Sequence, residues 1–343
     1  MITNPNIQVD PEGYLSSGGI RITDAEVGHD LLKKLRREDE VYFSTYGDRS
    51  VLVEAFDRPL IAIQVEKVSG FHWIAVCPYG YKVDFDVRKL RLDAWDRFNG
   101  VTESEIAFVF SRTAQAEFFK LLDDYTDETI TVDGEELSIP EFYVEDPNAQ
   151  APTFWGDYYQ KDELPPWDLD QYNPNLNGIL AQLKLNKSKI LVLGAGQGHD
   201  ANFLAEQGHI VTAVDYSPAA QKSFTQRYPQ SLVANYTVRD VFQLPPEWLN
   251  SFDLVFDHTL FCAIPPRQRK SLIQVWKKVL KPRGHLLSIF FLLTRTSGPA
   301  YGVTEWEAQQ LMQKDFDFIY WSRAKNSAQS RKNKELIVYA QKK

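Results

Sequence analysis

Cysteine is nearly absent. The chain of 343 residues holds only Cys77 and Cys262, which excludes a disulfide scaffold and any Cys-x-x-Cys metal or redox motif and predicts a reduced, cytoplasmic setting. Long apolar runs are missing as well. The longest, around Leu286 to Leu293, is interrupted by Ser288 and falls far short of the roughly 20 residues a spanning helix needs, so no membrane segment is predicted. The stretch Met1-Ile2-Thr3-Asn4-Pro5-Asn6 has no basic residues leading into an apolar core, and no secretory leader is expected there. Metal-ligand spacing is absent among His29, His72, His199, His209, His258 and His285, so no metal site is predicted. No Gly-x-Ser-x-Gly elbow occurs, which argues against a serine hydrolase. No period of 20 to 50 residues repeats, which sets aside solenoids and propellers.

What is present is the composition of folded protein, with 43% hydrophobic and 24% charged residues, at a length that suggests about two domains. The net charge of −8 would repel a nucleic-acid backbone if evenly spread, and no nucleic-acid partner is predicted. It is uneven. Residues 1–145 carry 15 Lys+Arg against 28 Asp+Glu, while residues 146–343 carry 23 against 18. The second half can therefore attract an anion, and the acidic first half is a surface through which a protein partner could be contacted.

Residues 1–142 read as a small α+β domain. Strand-like runs at 41–45, 51–55, 60–65 and 71–76 suggest an antiparallel sheet, and Thr129–Val132 with Glu136–Ile139 flank the turn sequence Asp133-Gly134-Glu135, a hairpin signal. Thr23-Asp24-Ala25-Glu26 has the form of a capping box, with Val27, Leu31 and Leu35 spaced along one helix face, and a second helix is predicted over 111–125. Residues 143–174 form a Pro-containing and aromatic linker without clear periodicity. From Lys189 the pattern alternates. Strands are predicted at 189–193, 210–214, 236–239, 254–257, 286–291, 316–322 and 336–341, with helices at 199–207, 218–228, 267–280 and 305–314. That is an α/β arrangement, a seven-stranded mostly parallel sheet covered on both faces.

The first of these strands runs into Gly194-Ala195-Gly196-Gln197-Gly198-His199 and then a helix; the second ends at Asp215. Glycines there permit a sharp turn and close approach to a ligand, and a carboxylate at the end of the second strand can accept both hydroxyls of a ribose. A nucleoside-bearing cofactor is the reading. The spacing departs from the dinucleotide pattern Gly-x-Gly-x-x-Gly, because His199 occupies the last position, which weakens a pyrophosphate ligand.

The segments Phe154-Trp155, Pro166-Trp167-Asp168, the glycine loop, residues 207–220, Arg239-Asp240-Val241-Phe242, residues 252–258, Phe261–Pro265 and Gly298–Tyr301 resemble the S-adenosylmethionine-dependent methyltransferases of the thiopurine methyltransferase family, and more narrowly its halide and thiol branch. The likeness covers 154–341. It implies a Rossmann-like class I methyltransferase fold for 175–343, S-adenosyl-L-methionine as cofactor, and a small-molecule acceptor. It further implies that Gly194, Gly196 and Gly198 border the methionine and ribose, Asp215 holds the ribose hydroxyls, Asp240 and Val241 face the adenine, and Asp257 belongs to the same set. Trp155 and Trp167 lie in the segment that closes over the cofactor, where an aromatic face would attract the sulfonium. His258 stands where the thiopurine branch has Arg and the halide and thiol branch has Tyr; it would orient the acceptor or take a proton from it. Arg295 and Tyr301 are acceptor-side expectations. Arg267 and Arg269 read as solvated residues opening a helix, and Arg331, Lys332 and Lys334 as solvated flanks of the last strand. The function implied is in-line methyl transfer to a thiol, sulfide, thiocyanate or halide. Alternatives are a larger thiopurine-like or selenium or tellurium acceptor, or a cofactor sensor with a protein partner.

Overall fold

Two compact units divide the chain in the computed structural model, which describes residues 6–161 and 163–343. The first comprises Met1–Val144, Thr294–Thr296 and Thr304–Glu307; the second comprises Glu145–Leu293, Ser297–Val303 and Ala308–Lys343. The linker expected over 143–174 thus falls almost wholly in the second unit. Residues 1–5, where the absence of a leader was read, lie outside the described residues.

The first unit is not one antiparallel sheet. Among the described residues it holds four sheets, and the largest has the order Ile20–Arg21, Leu15–Ser17, Asn6–Val9, Arg49–Ala55, Val41–Tyr46, Arg36–Glu38, with Asn6–Val9 parallel to its neighbour Arg49–Ala55. The run 60–65 breaks at Ile63 into Leu60–Ala62 and Gln64–Ser69, which belong to different sheets. A run that is apolar but for Gln64 gives no sign of such a corner. The hairpin Thr129–Val132 with Glu135–Ser138 turns through Asp133 (φ 51°) and Gly134 (φ 78°), the left-handed pair a two-residue turn requires. Helix Ala25–Lys33 is capped by Asp24 rather than Thr23: the Asp24 carboxylate accepts from Glu26 N and Val27 N. The second helix is shorter than expected, Arg112–Lys120. Trp73, Phe98, Phe108, Phe110 and Phe118 fill the core between these sheets, all buried.

Strands of the second unit, numbered within it, are β1 (Lys189–Leu193), β2 (Ile210–Asp215), β3 (Asn235–Val238), β4 (Phe252–His258), β5 (Leu280–Phe291), β6 (Phe316–Arg323) and β7 (Glu335–Lys342). They form one sheet of order β3-β2-β1-β4-β5-β7-β6. The first five run parallel, and β7 is antiparallel to both β5 and β6. Helices α1 (Pro152–Tyr158), α2 (Asn175–Leu183), α3 (His199–Glu206), α4 (Pro218–Arg227), α5 (Arg269–Val279) and α6 (Glu305–Met312) lie between or before the strands. Apolar side chains pack both faces of the sheet: Leu193, Val255, Leu286 and Val338 on one, Ile190, Val192, Leu254 and Leu287 on the other. This α/β architecture follows from near-continuous apolar strands, which need cover on both sides. β5 begins at Leu280, earlier than its apolar run, because Leu280 pairs with Phe252 before the interruption Lys281-Pro282-Arg283.

Phe118→Ala in the first unit is expected to cost about 3–5 kcal/mol. Leu121→Ala, at a position 38% exposed, should cost under about 1 kcal/mol. Urea unfolding followed by circular dichroism checks both.

Candidate functional site

Parallel strands place their carboxyl ends on one edge, and the loops leaving β1, β2 and β4 meet there. The β1 loop turns through Gly194 (φ 63°), Gly196 (φ 54°) and Gly198 (φ 76°). A Cβ on Gly198 would stand 2.3 Å from the Phe224 ring, so glycine is obligatory at the start of α3 for space as well as for angle. Gly196 N donates to Asp215 Oδ2 (2.8 Å) and Ser217 N to Asp215 Oδ1 (2.9 Å). Tyr236 adds a hydrogen bond from its hydroxyl to Gly196 O (2.6 Å). Asp215 is buried and has no cation paired with it among the described residues. Burial raises its pKa against the pull of its backbone donors.

The aromatic segment lies over this loop. The Tyr159 hydroxyl is 3.2 Å from the point where a Gly196 Cβ would be and accepts from Trp167 Nε1 (3.3 Å). Trp155 and Trp167 meet edge to face with ring centroids 5.5 Å apart, and Trp155 Nε1 donates to Ala149 O (2.9 Å). Asp168 holds the segment down: its Oδ1 is 3.0 Å from His199 Nε2, and His199 Nδ1 is 2.7 Å from the Tyr228 hydroxyl. Arg227 pairs with Asp170 further along. The structure therefore gathers Trp155, Trp167, Gly194, Gly196, Gly198 and Asp215 in one neighbourhood. Asp240, after β3, accepts from Phe242 N at Oδ1 (2.8 Å) and so shapes its own turn, while Val241 is buried.

At the end of β4 a second cluster forms. His258 Nδ1 lies 2.7 Å from Asp200 Oδ2, in the first turn of α3. Its Nε2 is 3.1 Å from Asn173 Nδ2 and 3.8 Å from Glu335 Oε1. The Asn173 amide is oriented by its Oδ1, which accepts from Asn175 N (2.9 Å), and its Nδ2 also donates to Glu335 Oε1 (2.8 Å). Burial depresses the His258 pKa, but the Asp200 charge and hydrogen bond, with Glu335, override it and push the value up to about 9. Beside it Asp257 is fully buried; Ser288 Oγ donates to its Oδ1 (3.2 Å) and its Oδ2 has no partner among the described residues. Burial pushes this carboxyl up to about 7, against the Ser288 bond and the His258 charge.

The two acceptor-side expectations fall in different units. Arg295 belongs with the first unit, where its Nε is 3.3 Å from Glu40. Tyr301 belongs to the second; its ring is buried and its hydroxyl accepts from Asp146 N (3.1 Å). Arg267 is exposed and pairs with Glu145 (2.9 Å). Arg269 and Arg331 overturn the solvated reading, at 0% and 3% exposed. Arg269 donates to Gly302 O (2.8 Å) and lies over the Phe261 ring; Arg331 donates to Trp167 O (2.6 Å). Both sit among polar neighbours in sequence, and only the partners brought by the fold reveal them. Asp168, His199, Asp200, Asn173 and Glu335 carried no spacing signal either. Among the described residues no group of three or more His, Cys, Asp or Glu is arranged to hold a metal ion, and no helix is long and apolar enough to cross a membrane.

A family model described as thiopurine S-methyltransferase matches residues 150–343. Thiocyanate methyltransferase 1 of Arabidopsis thaliana is 33% identical over 147 residues, 42% of this chain and 64% of that protein. A probable thiol methyltransferase 2 of the same plant is 31% identical over 151 residues, 43% and 66%. Thiopurine S-methyltransferase of Vibrio cholerae is 29% identical over 178 residues, 47% and 80%. The chain thus spans just under two thirds of the length of the plant relatives. Among solved structures, the Burkholderia thailandensis 1,6-didemethyltoxoflavin-N1-methyltransferase superposes with a TM-score of 0.46 at 21% identity, covering 63% of this chain and 99% of that one.

Because the His258 pKa of about 9 in the folded chain stands above the ordinary histidine value of 6.5, its contribution to stability is complete below about pH 6.5 and fades as pH rises through 9. His258→Gln should therefore destabilise by on the order of 3 kcal/mol at pH 6 and by little at pH 10. Asp257→Asn has the opposite profile, raising the melting temperature at pH 8 and changing it little at pH 4. Thermal melts across pH check both.

Proposed function

We propose, from the premise that the chain belongs to the thiopurine S-methyltransferase family, that it transfers the methyl group of S-adenosyl-L-methionine to a small soft nucleophile, a thiol, sulfide, thiocyanate or halide. S-Adenosyl-L-methionine is the cofactor of that family. The observation that carries the reading is Asp215: a buried carboxylate with backbone donors and, among the described residues, no paired cation, bonded to the glycine loop that the Tyr159 hydroxyl approaches, with Trp167 against Tyr159 and Trp155 against Trp167. A ribose diol suits such a carboxylate, since hydroxyl donors to a charged acceptor satisfy it without a counter-ion. Indole faces suit a sulfonium by cation–π attraction, about 0.5–2 kcal/mol. The residues present fit the cofactor.

When bound, the cofactor supplies a methyl group on a positive sulfur that departs as a neutral thioether while the acceptor's electron pair forms the new bond. The chain's own part is alignment and exclusion of water, worth about 7–11 kcal/mol of barrier when reacting groups are held in line. His258 does not serve as the base. As a cation it has no lone pair to offer; as a neutral ring its Nε2 meets the Asn173 amide hydrogen and its Nδ1 faces Asp200. We therefore assign His258 to positioning, joining the end of β4 to α3 and β7. Asp257, its carboxyl pushed up to about 7 by burial, is the side chain of this cluster able to take up a proton near neutrality. An acceptor that is already an anion near neutral pH, or a halide, needs no such transfer.

Transfer of labelled methyl to sulfide, small thiols, thiocyanate, iodide, selenite and an aromatic thiol tests the reading, with Asp215→Asn as the control. Turnover of a small anion is expected, together with at least tenfold weaker S-adenosylhomocysteine binding in the variant, since loss of one bond to a charged group is worth about 1.5–3 kcal/mol. Turnover of the aromatic thiol alone would move the acceptor to a thiopurine-like heterocycle. Binding without turnover of any acceptor would overturn catalysis in favour of a sensor.

A further inference from the structure

Arg331 is a buried cationic side chain at the carboxyl edge of the second sheet whose hydrogen-bond partners, among the described residues, are incomplete. It closes the short turn Gln329–Arg331 just before β7 and is 3% exposed. Nη2 donates to Trp167 O (2.6 Å), and the guanidinium lies 4.2 Å from the centroid of the Phe291 ring at the end of β5. Nη1 is buried without a hydrogen-bond partner among the described residues. Glu335, Asp200 and Asp168 act on the guanidinium through their charge, yet none forms an ion pair with it among those residues. A guanidinium held in this way, with a donor left over, is costly until an anion meets it.

Topology says where that anion would be. β7 runs antiparallel to β5, so its beginning stands at the edge where β4 ends, and the Arg331 charge acts on His258 there. The carbonyl it holds belongs to Trp167, on the segment over the glycine loop. We propose that Arg331 recognises the methyl acceptor, its Nη1 donating to a small, singly charged soft anion: a thiolate, hydrosulfide or pseudohalide. Guanidinium suits such an anion because it is planar, always charged and weakly hydrated, so less hydration is lost when a weakly hydrated anion meets it. This rests on the methyltransferase reading above and assigns the acceptor's charge and its partner.

The test is steady-state kinetics with thiocyanate as acceptor, alongside calorimetric titration with S-adenosylhomocysteine. Arg331→Gln should raise the KM for thiocyanate at least tenfold while the Kd for S-adenosylhomocysteine changes less than threefold. Arg331→Lys, which keeps the charge and loses the planar fork, should fall between. A merely structural tie to Trp167 would weaken S-adenosylhomocysteine and leave the acceptor KM alone, and that result would overturn the assignment. In the unaltered protein, thiocyanate should compete with a thiol acceptor and acetonitrile, its near-isosteric neutral counterpart, should not; equal competition by the two would also overturn it, even if Arg331→Gln fails to fold. If the unaltered protein neither binds S-adenosylhomocysteine nor methylates any acceptor, the methyltransferase reading itself fails and this assignment with it. Turnover of acceptors with KM unchanged in both variants removes the assignment alone.

Discussion

The contact between His258 Nδ1 and Asp200 Oδ2, 2.7 Å long, joins the last residue of β4 to the first turn of α3, and the surrounding charges are arranged by it. An imidazole and carboxylates removed from water must be paired and hydrogen-bonded or the unit is weakened by several kcal/mol. That demand explains Asn173 and Asn175, whose amides donate to Glu335, and it explains why Asn173 N in turn donates to Asp200 Oδ1 (2.7 Å). The segment before α2 is thereby fixed to the sheet. The same segment continues backward to Asp168 and Trp167, so the polar cluster at β4 and the aromatic cover of the glycine loop are a single connected structure.

Most of the second sheet was legible because its central parallel strands β1, β2 and β4, buried on both faces, must be apolar nearly from end to end; β3 and β6, partly exposed and mixed in composition, were marked instead by their place between helical patterns. The glycine loop and Asp215 were legible for a related reason: positive φ and a carboxylate at a strand end each restrict the residue types allowed. Legibility failed where a residue's role depends on a distant partner. Arg331 stands in Ser330-Arg331-Lys332-Asn333-Lys334, which reads as solvated surface, and only the placement of Phe291 and Trp167 makes it interior. Arg269 is the same case, as are Asp168 and His199. In the first unit the strands are short, and a short run marks a strand's existence and says little of its pairing; the parallel union of Asn6–Val9 with Arg49–Ala55 could not have been read.

His258 illustrates a different limit. Its residue type and strand-end location suggest acid–base chemistry, and the family position made it the natural acceptor-side residue. The positioning role proposed above rests on its neighbours: two carboxylates and an amide face its two nitrogens. A titratable side chain at a functional edge can therefore act by holding other groups in place, and the count of its hydrogen bonds distinguishes that role from proton transfer.

β7 lies between β5 and β6 although it follows both in the chain, and it carries Glu335. A ribosome delivers the sheet with a slot open in its interior, β6 having no hydrogen-bonded neighbour until Glu335–Lys342 has emerged from the exit tunnel. Until that moment His258 lacks one of its carboxylates and Arg331 has no fixed position. The site is thus completed only once β7 has joined the sheet, and a chain that stops short of residue 335 presents an unpaired, apolar strand edge, the kind of surface that chaperones hold and that joins other chains when they do not.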